Sequence, residues 1–132
     1  MTRYLLDTAV FLWNFVEPDR LNRQVLRLFE NPQNGVFLSS VTAWEIGIKF
    51  ASGKLQLPEA PRPYIAKRMT PAGLLPLAMT HEHALSAGEL PKLHTDPFDR
   101  MLVAQARTEN MILITSDRQL MKYSVQTLWS GK

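Results

Sequence analysis

Along the 132-residue chain the apolar positions switch repeatedly between two periods. Short unbroken apolar runs, the mark of strands buried on both faces, alternate with stretches where apolar residues return every three or four positions. "RYLLD" (3–7) is the first run; it ends in an acid and reads as a buried strand. "TAVFLWNFV" follows as a helix halted near Pro18. Over 19–32, Leu21, Val25, Leu28 and Phe29 keep the spacing of an amphipathic helix with arginines outside. Residues 31–35 form a turn, and "GVFLSS" a second strand. Ser39 or Ser40 then caps a helix, "VTAWEIGIKFASG", that ends at Gly53.

The next stretch, 54–77, carries five of the nine prolines and is less regular. It is expected to hold a loop, a short helix over 64–69 and a short strand over 74–77. "THEHALSAGELP" (80–91) reads as a helix capped by Thr80, with its histidines at a solvated start rather than in a zinc site. A helix over 97–108 follows, then the clearest strand, "MILITSD", a short helix "RQLMKY" and a last strand near 125–129. Strands separated by helices predict a three-layer α/β/α sandwich around a mainly parallel sheet of four or five strands, built as one domain over 1–132.

Composition narrows the class. Hydrophobic residues make up 45% of the chain, enough for a real core. There is no cysteine, so disulfides and thiolate metal sites are excluded, which suits a reducing cytoplasm. The opening "MTRYLLDTAVFLW" has one Arg and an acid within its apolar part, a poor secretory leader. No apolar run approaches the ~20 residues that span a bilayer, so a cytoplasmic protein with no membrane partner is expected.

The acids carry the chemistry. Asp96 heads "HTDPFDRMLVAQA" (94–106) as a good N-cap, with Pro in the first turn. Asp99 is different: its i+3, i+4 and i+7 neighbours are Leu102, Val103 and Ala106, so it stands on the apolar stripe. Glu45 does the same among Val41, Trp44 and Ile48. A buried, unpaired carboxylate is costly and tends to hold a proton unless a cation meets it. Asp7 and Asp117 each follow an apolar strand and precede a helix. Taken singly, each reads as a cap; in a parallel sheet both fall at the carboxyl edge, where ligands bind. If these five acids gather, the remaining 15 basic and seven acidic residues leave a net +8 elsewhere. That balance suits a polyanion reached through a metal.

"LLDTAVFLW", "SSVTAWEIGIKFASGKL", "LHTDPFDRMLVAQA" and "ILITSD" resemble, in order, the motifs of the PIN domain. The likeness is greatest to the VapC-type ribonuclease toxins of bacterial toxin–antitoxin pairs. It implies catalytic acids at Asp7, Glu45, Asp99 and Asp117, with Asp7, Asp99 and Asp117 holding metal. Thr8 and Thr115 match positions where the family favours hydroxyls near the site, while Asp96, a fifth acid outside that pattern, and Ser116 are expected beside them as supporting groups. Where many relatives carry Ser or Asn two residues after the first acid, this chain has Ala9. Hard oxygen donors without thiolate suit Mg²⁺ or Mn²⁺, which can activate water for in-line phosphodiester cleavage. The resemblance further implies an RNA substrate, a cognate antitoxin and a homodimer with Trp13 and Phe15 as contacts. Arg62, Lys67, Arg68 and His94 are the candidates for RNA phosphate contacts. Two alternatives stand: a protein-binding module that keeps the fold without cleaving, and a structure-selective DNA nuclease.

Overall fold

The computed structural model describes residues 1–132. Five strands, β1 (Arg3–Leu6), β2 (Gly35–Ser39), β3 (Leu75–Leu77), β4 (Ile112–Thr115) and β5 (Thr127–Trp129), form one sheet in the order β3-β2-β1-β4-β5. Every neighbouring pair is parallel, with Leu5 beside Phe37 on one side and Leu113 on the other. Six α-helices cover it: α1 (Thr8–Val16), α2 (Arg23–Glu30), α3 (Ser40–Ala51), α4 (Pro61–Ala72), α5 (His81–Glu89) and α6 (Pro97–Glu109).

Alternation along the strands divides the interior in two. Leu5 and Leu113 point to a core shared with Ala87, Leu90, Leu102, Val103 and Ala106. Leu6 and Ile114 point to the opposite core, with Val10, Phe11, Val25 and Tyr64. Burial on both faces explains why the strands read as continuous apolar runs. Helix α3 places Val41 in the first core and Ile46 in the second, so it passes from one layer to the other.

Several elements differ from their sequence reading. The helix expected over 19–32 is a 3₁₀ turn (Pro18–Arg20) followed by α2. Asn22 interrupts it: its side chain caps Val25 N–H and donates to the carbonyls of Trp129 and Gly131. The short helix expected over 64–69 is the 12-residue α4. Pro61 and Pro63 lie in its first turn, where no N–H is required, so they start the helix rather than break it. Gly73, at φ 66°, closes it in the left-handed region. The expected helix near 118–123 is a 3₁₀ turn over Leu120–Lys122.

One polar reading also changes. Within "HEH", His81 and Glu82 are exposed but His83 is buried. One ring nitrogen of His83 accepts from Thr80 N–H, and the other meets Glu109 at 2.9 Å, pinning α5 to α6. Arg100 ties α6 to α5. Its guanidinium donates to the carbonyls of Ala87, Leu90 and Pro91 and so caps the end of α5. Trp13, beneath the Arg20 guanidinium, and Phe15, edge-on to Phe11, are half-buried within their own chain.

Candidate active site

Strand order reverses direction at β1: β2 and β3 lie on one side of it, β4 and β5 on the other. A parallel sheet opens a crevice at such a point, beyond the carboxyl ends of the strands. The chain puts Asp7 directly after β1 and Asp117 two residues after β4. A cleft of about 370 Å³ lies there, lined by Asp7, Glu45, Asp96, Asp99, Ser116 and Asp117, with Lys49 and Lys54 as its cations.

Asp7 is held at both oxygens. Oδ1 accepts from Val10 N–H at 2.8 Å, so Asp7 caps α1. Oδ2 accepts from the Thr115 hydroxyl at 2.7 Å and from Ser116 N–H at 3.1 Å. The cap and the ligand readings are therefore one residue using different lone pairs; Oδ1 keeps one free. Burial pushes the Asp7 carboxyl up from its ordinary value, against the pull of these three donors.

Glu45 is clamped as well. Oε1 accepts from the Thr8 hydroxyl at 2.7 Å, itself 3.2 Å from the Thr42 hydroxyl, and Oε2 pairs with Lys49 one turn on. Its burial was legible, but the stripe used to infer it was not the buried one. The inner face of α3 is Val41, Thr42, Glu45 and Ile46, whereas Trp44 and Ile48 face outward. Trp44 is 58% exposed and packs edge-on against Phe98.

Asp99 is the least compensated of the acids. The one basic group within 4 Å of its carboxylate is a ring nitrogen of His94, at 3.5 Å. Burial, then the charges of Asp96, Asp7 and Glu45, push its carboxyl up to about 7. Asp117 Oδ1 accepts from Gln119 N–H, and Oδ2 lies 2.8 Å from His94 Nε2. Asp96 Oδ1 accepts from Phe98 N–H at 2.8 Å and Asp99 N–H at 3.4 Å, the geometry of a cap. Asp96→Asn is expected to keep this cap and change the thermal midpoint by less than about 3 °C, measured by calorimetry. A larger loss would mean that the Asp96 charge does more than cap.

His94, weighed in the sequence as a phosphate contact or as a group that orients a side chain, lies within this cluster. A ring nitrogen of His94 and one oxygen each of Asp99 and Asp117 fall within 4.8 Å of one another. This looks like a metal triad, yet the imidazole is turned the wrong way to be a ligand. Asp96 N–H donates to Nδ1 at 3.0 Å, which leaves the proton on Nε2, facing Asp117. A ligating histidine directs its N–H away from the metal instead. His94 thus orients carboxylates, and the groups facing the cleft are the carboxylates of Asp7, Glu45, Asp96, Asp99 and Asp117. That set fits a hard divalent cation.

Arg62, Lys67 and Arg68 lie on α4 and do not line the cleft. Lys67 bonds Glu59 at 2.8 Å, while Arg68 stacks 3.6 Å over the Tyr64 ring and donates to the Tyr64 carbonyl. Lys49 went unread in the sequence. Its position one turn after Glu45 was the available clue.

Comparison with known proteins agrees with this architecture. Ribonuclease VapC16 of Mycobacterium tuberculosis is 38% identical over 56 residues, 42% of this chain and 40% of that protein. The crystal structure of VapBC2 from Rickettsia felis bound to a promoter DNA fragment contains a chain that superposes with a TM-score of 0.74 at 18% identity. That match covers 98% of this chain and 99% of the other. DNA-bound VapBC from Salmonella typhimurium gives 0.68 at 17% identity, covering 97% and 98%. Residues 4–125 match the PIN domain, a span that contains all five carboxylates of the cleft, and the chain belongs to that family.

Proposed function

We propose that this PIN domain is a metal-dependent endoribonuclease and the toxin of a toxin–antitoxin pair. One observation carries the reading: Asp7, Glu45, Asp99 and Asp117 line a single cleft at the carboxyl edge of the sheet. The resemblance to a named ribonuclease and to toxin–antitoxin structures supports the choice of substrate and partner.

Asp7, Asp99 and Asp117 would hold Mg²⁺ or Mn²⁺, which when bound supplies charge neutralisation at the phosphate and an acidified water. The protein's work is placement. Thr115 and Ser116 fix the Asp7 carboxylate, His94 fixes Asp117, and Thr8 fixes Glu45. Glu45, facing the cleft with one oxygen anchored by Thr8, would orient the attacking water and take its proton. Locked donors of this kind reduce the reorganisation needed during reaction.

The partners proposed are RNA, a cognate antitoxin and a second copy of the chain, with the cytoplasm as the setting. No helix is long and apolar enough to cross a membrane. The test is expression of the wild-type protein and of Asp7→Asn, each alone. Growth arrest and RNA cleavage by the wild type only, relieved by co-expression of the neighbouring gene, is the expected result. Harmless wild-type protein that leaves RNA intact would put the protein-binding reading ahead. Cleavage of branched DNA but not RNA by purified protein would favour the DNA nuclease.

A further inference from the structure

The cleft is acidic, yet its proposed substrate is a polyanion. Five carboxylates line it, from Asp7, Glu45, Asp96, Asp99 and Asp117, and only Lys49 and Lys54 oppose them. The other candidate cations lie outside the cleft, Arg62 on α4 among them. Lys67 is bonded to Glu59, Arg68 lies on Tyr64, Arg100 caps α5 and Arg118 lies 4.1 Å over the Trp129 ring. A phosphate entering the cleft therefore meets two ammonium groups.

Lys49 is placed for exchange. Its ammonium pairs with Glu45 Oε2, and its side chain is 41% exposed, whereas that of Glu45 is 5% exposed. The glutamate is fixed by Thr8 at its other oxygen, so the lysine is the mobile partner. An ammonium on a flexible stem can leave one oxyanion for another with little loss. Lys54 follows the end of α3, where its N–H bonds the Lys49 carbonyl at 2.9 Å, so one backbone turn presents both side chains to the cleft.

We propose that Lys49 and Lys54 form the phosphate-binding site for the RNA strand, with Lys49 passing from Glu45 to a backbone phosphate as the strand enters. Lys49 then has two successive roles. It neutralises Glu45 in the empty cleft, and it frees that carboxylate only when substrate is seated. This rests on the nuclease reading above and adds to it the residues that grip the substrate.

The experiment measures binding, not turnover. Asp99→Asn protein, full length and in millimolar Mg²⁺, is titrated into a fluorescein-labelled single-stranded RNA octamer by anisotropy over a range of salt, with RNA integrity checked on a gel. Adding Lys49→Met, or separately Lys54→Met, is expected to weaken binding about tenfold. Each should also reduce the slope of log K against log salt by about 0.7, the value for one lost contact with a single strand. Lys49→Arg should restore most of both, and Lys67→Met should change neither. Lys54 is exposed, so Lys54→Met tests the site even if Lys49→Met folds poorly. Unchanged affinity and slope in folded Lys54→Met and Lys49→Met would overturn the proposal alone. A parent protein that binds no RNA would overturn it together with the nuclease reading.

Discussion

Replacing Asp99 by Asn is expected to abolish RNA cleavage while making the metal-free protein harder to unfold. The two effects have one cause. Asp99 holds its proton up to about pH 7 because burial and three neighbouring acids oppose its charge. The distance from its ordinary value of 3.8 corresponds to about 4 kcal/mol of charge held against the fold above neutral pH, an upper figure for this site. An amide keeps the shape and removes the charge. At pH 8 without metal, the thermal midpoint should rise by about 10 °C. Cleavage, by contrast, loses a ligand worth several kcal/mol of transition-state stabilisation, roughly 10³-fold in rate. Calorimetry and a fluorescent RNA assay on the same preparation read both. An Asp99→Asn protein that is less stable than wild type at pH 8 would show that the carboxylate is compensated by its surroundings after all.

The second large effect is a pH dependence that metal reverses. Asp99 and Asp7 both have raised folded-state values, so between the unfolded value near 3.8 and about 7 the folded chain binds more protons than the unfolded one. Stability therefore falls as pH rises through that window and levels off above it. The metal-free midpoint should drop from pH 5 to pH 8. Millimolar Mg²⁺ or Mn²⁺ should raise it again at pH 8, by binding only the native state, and should do little at pH 5, where Asp99 is protonated. A midpoint at pH 8 that ignores both ions would count against a metal centre. Asp99→Asn should flatten both the pH and the metal response.

How much of this was legible in the sequence varies with the kind of signal. The parallel sheet was legible because strands buried on both faces leave unbroken runs such as "RYLL" and "ILIT". The meeting of Asp7 with Asp117 followed from that topology, since both leave their strands at the same edge. Glu45 was reached through a wrong stripe: Trp44 and Ile48 are apolar yet outward, and periodicity cannot tell a buried face from an exposed apolar one. His83 and Gln105 were illegible because their partners, Glu109 and Ser39, come from other elements. His94 was undervalued for the same reason. Its place beside Asp117 depends on Arg100 tying the 91–94 turn to the end of α5, a set of carbonyl contacts that leaves no mark in spacing.

The order of the strands also sets a clock. Asp7 is made well before its Thr115 partner, which lies 108 positions later, and β4 is the strand that brings it. At roughly 5–20 residues per second of synthesis, Asp7 waits about 5–20 s for its hydroxyl donor. Asp99 and Asp117 come equally late. A growing chain on the ribosome therefore carries the first acid without the other walls of the cleft, and the assembled carboxylate set does not exist until β4 has docked. A restraint on the cleft would have a target only once β4 has docked.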